Sequence, residues 1–233
     1  MAIDNAQILA ELDPDQLAVV TAISGPVCVI AGAGTGKTRV ITNRIAYAIN
    51  AGVTDPTKVL ALTFTAKAAG EMRARLRVLG ISNAAARTFH SAALKQLLYF
   101  WPYAFGGQFP SLLTTKSGFI SQAITRAEVA IPAQVNALRE IASEIEWAKV
   151  LEISPADYQE RAIESSRLVK LPNSKTQGEN LSMIAQVYEA YESLKKQERT
   201  LDFEDVLLLT VGMLEEDRGV RERVRDQYRY FTV

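Results

Sequence analysis

One segment near the N-terminus constrains the fold more than any other, because an apolar run leads directly into a glycine-rich turn and then a helical pattern. The run is Val27 to Ala31, VCVIA, and the turn is Ala31 to Thr38, AGAGTGKT. Beyond the turn, the apolar residues that share one helical face are Ile41, Ile45 and Ala48. A continuous apolar run is typical of a strand that is covered on both faces, as in a parallel sheet. We therefore expect a buried strand, with Cys28 in the core, followed by a tight turn and a helix.

A second apolar run, Val59 to Phe64, follows this helix after Gly52, which is a helix stop signal. Strand, helix and strand within about 38 residues form a βαβ unit, so the two strands should be parallel. The last six residues, Tyr228 to Val233, also have the pattern of a buried strand. In such sheets the functional residues collect at the carboxyl ends of the strands.

The middle of the chain has a different texture, because from Thr115 to about Thr200 it shows helical patterning and little that resembles a strand. One such helix is indicated by the spacing of Val135, Leu138, Ile141, Ile145 and Ala148. We predict an α/β fold with a parallel sheet flanked by helices, built from residues 1–115 and 201–233. An inserted, all-helical subdomain would occupy residues 116–200.

Composition argues against a membrane or secreted protein. The chain has 26 basic and 26 acidic residues, so its bulk charge favours no particular partner. No stretch approaches the roughly 18 apolar residues of a membrane span, and no secretion signal is visible. With a single cysteine, these features predict a cytoplasmic protein. Charge is nevertheless uneven: the segment from Arg39 to Lys95 contains nine Lys or Arg and two acids, Asp55 and Glu71.

The glycine-rich turn matches the pattern of a phosphate-binding loop except at its first position, where Ala31 replaces the usual glycine. Its curvature would come from Gly32, Gly34 and Gly36. Glycine lets successive backbone N–H groups converge on an anion. The Lys37 amine would reach the β- and γ-phosphates of a nucleotide, and the Thr38 hydroxyl would bind Mg²⁺. The alternative is a glycine-rich strand-to-helix turn with an incidental lysine, but the flanking strand and helix favour the nucleotide site.

Four further motifs accompany the loop: LDPDQLAVV, ALTFTAKAAGEMRARL, ARTFHSAAL and LDFEDVLLL. In this order and spacing they resemble the N-terminal motifs of UvrD/PcrA/Rep-type DNA helicases of superfamily one, most closely those of actinobacterial UvrD-like members. The resemblance covers about Leu12 to Val233. It implies the motor of a P-loop NTPase, with ATP and Mg²⁺ as cofactors. Its partners would be single-stranded DNA and junctions of single and double strands.

The resemblance also assigns roles to individual residues. Gln16 would contact adenine and Arg39 would lie near the base, while Lys37 and Thr38 would serve catalysis. The triphosphate would be held by Ala31, Gly32, Ala33, Gly34, Thr35, Gly36, Lys37 and Thr38. Single-stranded DNA would contact Thr63, Phe64, Thr65 and Lys67, and then Thr88, Phe89 and His90. The helical insertion would lean toward duplex DNA. The chain has Ala66 where the family often has Asn, so no contact is assigned there.

The residues themselves agree with a DNA-binding rim. Phe64 ends one strand and Phe89 begins the next segment, so both aromatic rings should lie at a sheet end where bases can stack. For the three arginines of the following helix, a DNA contact and a solvated helix face both remain open. They are Arg73, Arg75 and Arg77.

ATP hydrolysis in this class also needs carboxylates beyond the metal, normally an Asp-Glu pair after an apolar strand. Asp202 fits a helix N-cap better, with Asp205 in the first helical turn. Glu215 and Glu216 follow apolar residues, but the apolar spacing continues a helix through them. In the family, the strand at Tyr228 to Val233 leads directly into Asp-Glu. We therefore expect the chain to stop before these acids and before a second motor domain.

These features predict the N-terminal part of an ATP-dependent DNA helicase, moving 3′ to 5′ by resemblance, which would bind MgATP and single-stranded DNA without turnover by itself. Two alternatives stay open. One is a nucleotide- and DNA-binding adaptor that never hydrolyses ATP, and the other is the motor of a helicase–nuclease.

Overall fold

The computed structural model describes residues 4–172 and 176–233. The chain divides into two compact units, one formed by Met1–Phe100 with Met213–Val233 and the other by Trp101–Gly212. We call them the sheet unit and the helical unit. The boundaries expected from sequence pattern were 115/116 and 200/201.

The elements follow one another along the chain in the order α1 Asn5–Leu9, α2 Pro14–Thr21, α3 Lys37–Asn50, β1 Val59–Thr63, α4 Ala66–Val78, β2 Ala85–Thr88, α5 Phe89–Ala104, β3 Ser111–Leu112, α6 Ser117–Arg126, α7 Val135–Val150, α8 Tyr158–Glu164, α9 Gln177–Gln197, β4 Thr200–Leu201, α10 Phe203–Glu216, α11 Arg218–Gln227 and β5 Tyr230–Thr232. A 3₁₀ turn, Pro56–Lys58, precedes β1. No described helix has both the length and the apolar composition needed to cross a membrane.

The sheet unit is built on three parallel strands in the order β2-β1-β5. The central strand is buried on both faces at Val59, Leu60 and Ala61. Apolar side chains from α3 and α4 pack with it, among them Ile45, Met72 and Leu76. The predicted α/β class, with a parallel sheet and flanking helices, is confirmed, and the second predicted strand and the helix after the glycines lie within two residues of their expected ends.

The strand predicted at Val27 to Ala31 is wrong. These residues form no strand in the structure, and Val29 and Ile30 are 48% and 98% exposed. Cys28, expected in the core, is exposed as well. An apolar run shows that a segment tolerates burial, but a strand also needs a neighbour that accepts its backbone hydrogen bonds. No described strand pairs with this segment, since the three-stranded sheet ends at β2 on one side and at β5 on the other.

The helical unit has its own core, formed mainly by α6, α7, α8 and α9. The side chains of Ile120, Ile141, Ile145, Ile184 and Tyr191 are all fully buried there. The spacing that predicted a helix from Val135 corresponds to α7, although Val135 itself is 63% exposed. A short parallel pair, β3 with β4, adds the only described strands of this unit.

Candidate functional site

The glycine-rich turn leads into the N-terminus of α3. Gly36 caps this helix with φ +78°, and Gly34 has φ +80°. Both values lie in the left-handed region, which glycine enters without the steric penalty of a Cβ atom. A Cβ atom on Gly36 would also lie 3.4 Å from the amide nitrogen of Gln16. The curved loop that the sequence predicted is therefore present, and it depends on these two glycines.

The Lys37 side chain folds back over the loop. Its Nζ atom donates hydrogen bonds to the carbonyl oxygens of Gly32, at 2.5 Å, and Ala31, at 3.3 Å. The Thr35 hydroxyl donates to the same Gly32 oxygen at 2.9 Å. The backbone N–H groups from 33 to 38 have no acceptor among the residues that the structure describes. A lysine amine beside unpaired N–H groups at a helix N-terminus is an arrangement that fits a phosphate chain.

Two more predicted nucleotide residues lie beside the loop. Gln16 is on α2, which Asp13 caps, and its amide nitrogen donates to the Thr35 carbonyl at 3.3 Å. Arg39 lies in the first turn of α3 and donates to the Glu11 backbone carbonyl at 2.6 Å and carboxylate at 3.2 Å. Glu11 was not expected from the sequence, because an exposed acid before a helix carries no motif signal. Thr38 follows Lys37 in the same first turn and is half-buried.

A cavity of about 900 Å³ opens beside the loop. This is within the size range of small-molecule sites, about 300–1,000 Å³. Its polar lining includes Gln16, Thr35 and Lys37, together with Asp13, Asp15, Arg44 and Thr232. Its apolar side is formed by Val29, Ile30, Val40, Ile41 and Phe231. The segment that failed to form a strand therefore lines this cavity, together with the end of β5.

The predicted DNA residues lie at the carboxyl ends of β1 and β2. In the parallel register Thr63 is opposite Thr88, so Phe64 and Phe89 follow at equivalent positions. Their ring centroids are 5.3 Å apart. Phe64 is 84% exposed, an unusual state for a large aromatic side chain that has a ring neighbour. We call this surface the aromatic rim, defined by Thr63, Phe64, Thr65, Lys67, Thr88, Phe89 and His90.

The hydroxyl groups of the rim also organise the helices that follow the strands. Thr65 caps α4, since its hydroxyl accepts the Ala68 N–H at 3.1 Å, and the Thr88 hydroxyl accepts the Ser91 N–H at 3.1 Å. A hydroxyl that accepts one bond still has a proton to donate, for example to a phosphate oxygen. Lys67 is exposed in the first turn of α4, and His90 is half-buried in α5. The structure thus brings all seven predicted residues to one edge of the sheet.

The three arginines of α4 differ from one another. Arg73 donates to the Ala86 carbonyl at 2.7 Å and so ties α4 to β2. Arg75 pairs with Glu71 at 2.6 Å, one helical turn away. Arg77 is exposed. Two of the three side chains therefore have partners within the protein.

Four acids were candidates for the carboxylates of ATP hydrolysis. Asp202 and Asp205 belong to the helical unit. Glu215 and Glu216 lie at the end of α10, as the helical spacing predicted. Asp202 and Asp205 cap the start of α10 reciprocally, each carboxylate accepting the other's N–H at 3.0 Å. Sequence reasoning missed their partners, two buried lysines. Asp202 accepts from Lys149 at 2.8 Å and from Lys195 at 2.9 Å.

This buried charge cluster, which we define as Lys149, Glu192, Lys195, Asp202 and Asp205, is a structural feature. Burial alone would raise the pKa of Asp202, but the two ammonium groups outweigh it and hold that pKa below its usual range. Burial would lower the pKa of Lys149, and the surrounding carboxylates outweigh it and raise that pKa. Its three carboxylates lie close enough to hold a metal ion, but both lysine amines already bind them.

Comparison with known proteins gives a consistent result. The model of the UvrD/REP helicase N-terminal domain family matches residues 12–233. The chain is 41% identical to the ATP-dependent DNA helicase UvrD2 of Mycobacterium tuberculosis, over all of this chain and 33% of that protein. It is 32% identical to the helicase Rep of Buchnera aphidicola and 30% identical to the helicase PcrA of Leuconostoc citreum. Each of these two matches covers 94% of this chain, and 30% and 28% of the relative. The chain spans about a third of the length of these relatives.

Proposed function

The chain belongs to the UvrD/REP helicase N-terminal domain family, and from this premise we propose that it is the nucleotide- and single-strand-binding part of an ATP-dependent DNA helicase that moves 3′ to 5′. The observation that carries the proposal is the loop at the start of α3, where the Lys37 amine lies beside unpaired N–H groups. A protein with this function would act in the cytoplasm.

The residues of the loop take separate roles in this proposal. Lys37 would exchange its carbonyl partners for phosphate oxygens, and Gly34 and Gly36 keep the backbone open to them. Thr38 would bind Mg²⁺, Gln16 would reach the adenine, and Arg39 would lie near the base. Bound MgATP supplies the free energy of hydrolysis that a motor converts into movement. The remaining loop residues, Ala31, Gly32, Ala33 and Thr35, line the path of the phosphates.

The aromatic rim would bind single-stranded DNA. Phe64 is exposed and next to Phe89, so a base can stack on it without sequence preference. Thr63, Thr65 and Thr88 can donate to phosphate oxygens, and Lys67 and His90 lie beside them at the same edge. We assign the helical unit, as an accessory part that leans toward duplex DNA, to the junction between single and double strands.

The test of DNA binding is fluorescence anisotropy with short oligonucleotides of deoxythymidine and of deoxyadenosine. Phe64→Ala should weaken both by about 1–3 kcal/mol, because stacking is lost regardless of the base. The matched control is Tyr103→Ala, which removes an exposed aromatic ring outside the rim. Equal affinities for wild type and Phe64→Ala would remove Phe64 from the DNA site.

The test of turnover is a steady-state ATPase assay with and without single-stranded DNA. Among the described residues no Asp-Glu pair follows an apolar strand, and Glu215 and Glu216 lie in α10. We expect rates below about 1 s⁻¹, an ordinary enzyme turnover. A faster rate would show that these 233 residues contain a sufficient set of carboxylates. The lack of an Asp-Glu pair after a described strand also favours a second candidate function, a non-hydrolysing adaptor. Sequencing the gene past Val233 distinguishes the helicase from the adaptor.

A further inference from the structure

A second cavity, of about 680 Å³, lies along the edge strand β2 in the sheet unit. Its cationic side chains are Arg73, Arg87 and Lys95, and none of the described residues that line it is acidic. Its neutral polar side chains include Asn83, Thr88, Ser91 and Gln227. Three cations in one concave surface without a compensating carboxylate create a positive potential that favours an anionic ligand.

Two of these cations have no partner among the residues that the structure describes. Arg73 is anchored on the Ala86 carbonyl, but neither Arg87 nor Lys95 makes a hydrogen bond or ion pair with any described residue. The Nε atom of Arg87 is buried and has no acceptor. A buried donor without a partner is unfavourable, so an acceptor supplied from outside the chain would be stabilised there.

The cavity is continuous with the aromatic rim through Thr88, which belongs to both. Lys95 lies on α5, a little under two turns beyond Phe89, the helix's first residue. A strand whose base stacks at Phe64 and Phe89 would meet this cavity where it continues past Thr88. A nucleotide binding in this cavity would need a second recognition element for its base, and no aromatic side chain besides Tyr228, which is 5% exposed, lines it.

We infer that this basic cavity, with Arg87 and Lys95 as its ligand-binding residues, holds backbone phosphates of single-stranded DNA beyond the aromatic rim. Arg73 is a positioning residue that keeps α4 against β2. The inference rests on the proposed DNA-binding function, and it extends the contact surface from the sheet edge along β2.

The experiment measures the affinity for a 12-nucleotide strand of deoxythymidine as a function of salt, for wild type, Lys95→Ala and Arg87→Gln. Each lost phosphate contact should reduce the slope of log K against log salt by about 0.7. The ratio of the wild-type affinity to the affinity of each variant should therefore fall about 2.6-fold when the salt concentration rises four-fold. A four-nucleotide strand, which covers the rim alone, should bind wild type and both variants equally. The matched control is Arg77→Ala, an exposed cation of α4 outside the cavity, which should keep the wild-type slope.

The outcomes separate the inference from the function on which it rests. If wild type binds the longer strand and Phe64→Ala weakens it, but both cavity variants keep the wild-type slope, the cavity inference is overturned and the rim stands. If the cavity variants lost as much salt slope with a blunt duplex as with the single strand, the assignment of the cavity to single strands would also be overturned. If wild type binds no strand of any length, the proposed function fails first. Circular dichroism of each variant confirms that the fold is retained, since Lys95 is exposed and Arg87→Gln preserves a polar side chain of similar length.

Discussion

Gly36 shows how one residue joins the local backbone to the chemistry of the site. Its φ of +78° places it in the left-handed region at the start of α3, and Lys37 follows it directly. A Cβ atom at this position would be strained by the left-handed backbone and would lie 3.4 Å from the amide nitrogen of Gln16. The sequence alone predicted the glycine turn and the lysine after it, because few residue types can form a tight turn around an anion. It did not predict that Arg39 binds Glu11, since nothing in either segment indicates the other.

Gly36→Ala should destabilise the protein by about 1–2 kcal/mol, because an L-residue is strained in the left-handed region. The measurement is a urea titration followed by far-ultraviolet circular dichroism. The matched control is Gly70→Ala in the interior of α4, where the backbone is helical and the new Cβ atom meets only the end of the Arg73 side chain, at 3.8 Å. That change should stabilise by about 0.5–1 kcal/mol. The same sign for both substitutions would contradict the assigned backbone conformation of Gly36.

At the scale of elements, β1 and the segment 27–31 have similar apolar sequences, but only β1 forms a strand. Both runs read as buried strands, yet only β1 has a described partner on each side, β2 and β5. Apolar composition was therefore sufficient to predict β1 and insufficient for 27–31. The missing information is the pairing partner. Pairing depends on the whole sheet, so it cannot be predicted from five consecutive residues.

Hydrogen exchange of backbone amides measures this difference. We expect slow exchange for Leu60, Ala61 and Leu62, whose N–H groups lie in the central strand. The amides of residues 28–31 should exchange at least 100-fold faster, about 3 kcal/mol in opening free energy. The amide of residue 33 in the same peptides serves as an internal reference, since it lies outside the helices and strands. Equal protection in the two segments would contradict the fold described for residues 27–31.

At the scale of the whole molecule, the chain consists of two units with separate cores, and the charge cluster belongs to the helical unit alone. It joins α7, α9 and the start of α10, with Lys149 and Asp205 separated by 56 positions. The helical character of this region was predictable from spacing. The cluster was not, because a lysine on the core face of a helix looks in sequence like an exposed one until its partners are known.

The cluster predicts acid sensitivity of the helical unit. Because the folded-state pKa of Asp202 lies below its unfolded value of about 3.9, its contribution is present above that pH and is lost as pH falls further. Both tryptophans, Trp101 and Trp147, lie in this unit, so tryptophan fluorescence in urea reports its unfolding between pH 7 and pH 2.

Asp202→Asn should be destabilised by about 3–5 kcal/mol at pH 7, because it leaves two buried ammonium groups without their shared carboxylate. It should also lose less further stability than wild type below pH 4. The exposed Glu160→Gln serves as the control and should follow wild type at every pH. A wild-type stability that stays flat from pH 5 to pH 2 would refute the proposed role of this cluster.

The most direct measurement of the central claim is scanning calorimetry of wild type and Lys37→Ala with a non-hydrolysable MgATP analogue. Wild type should be stabilised by about 2.7 kcal/mol when the ligand is at 100 times its dissociation constant. Lys37→Ala should fold normally without ligand and show no shift, while Arg77→Ala should shift as wild type does. An unchanged ligand shift in Lys37→Ala would contradict the assignment of this loop as the nucleotide site.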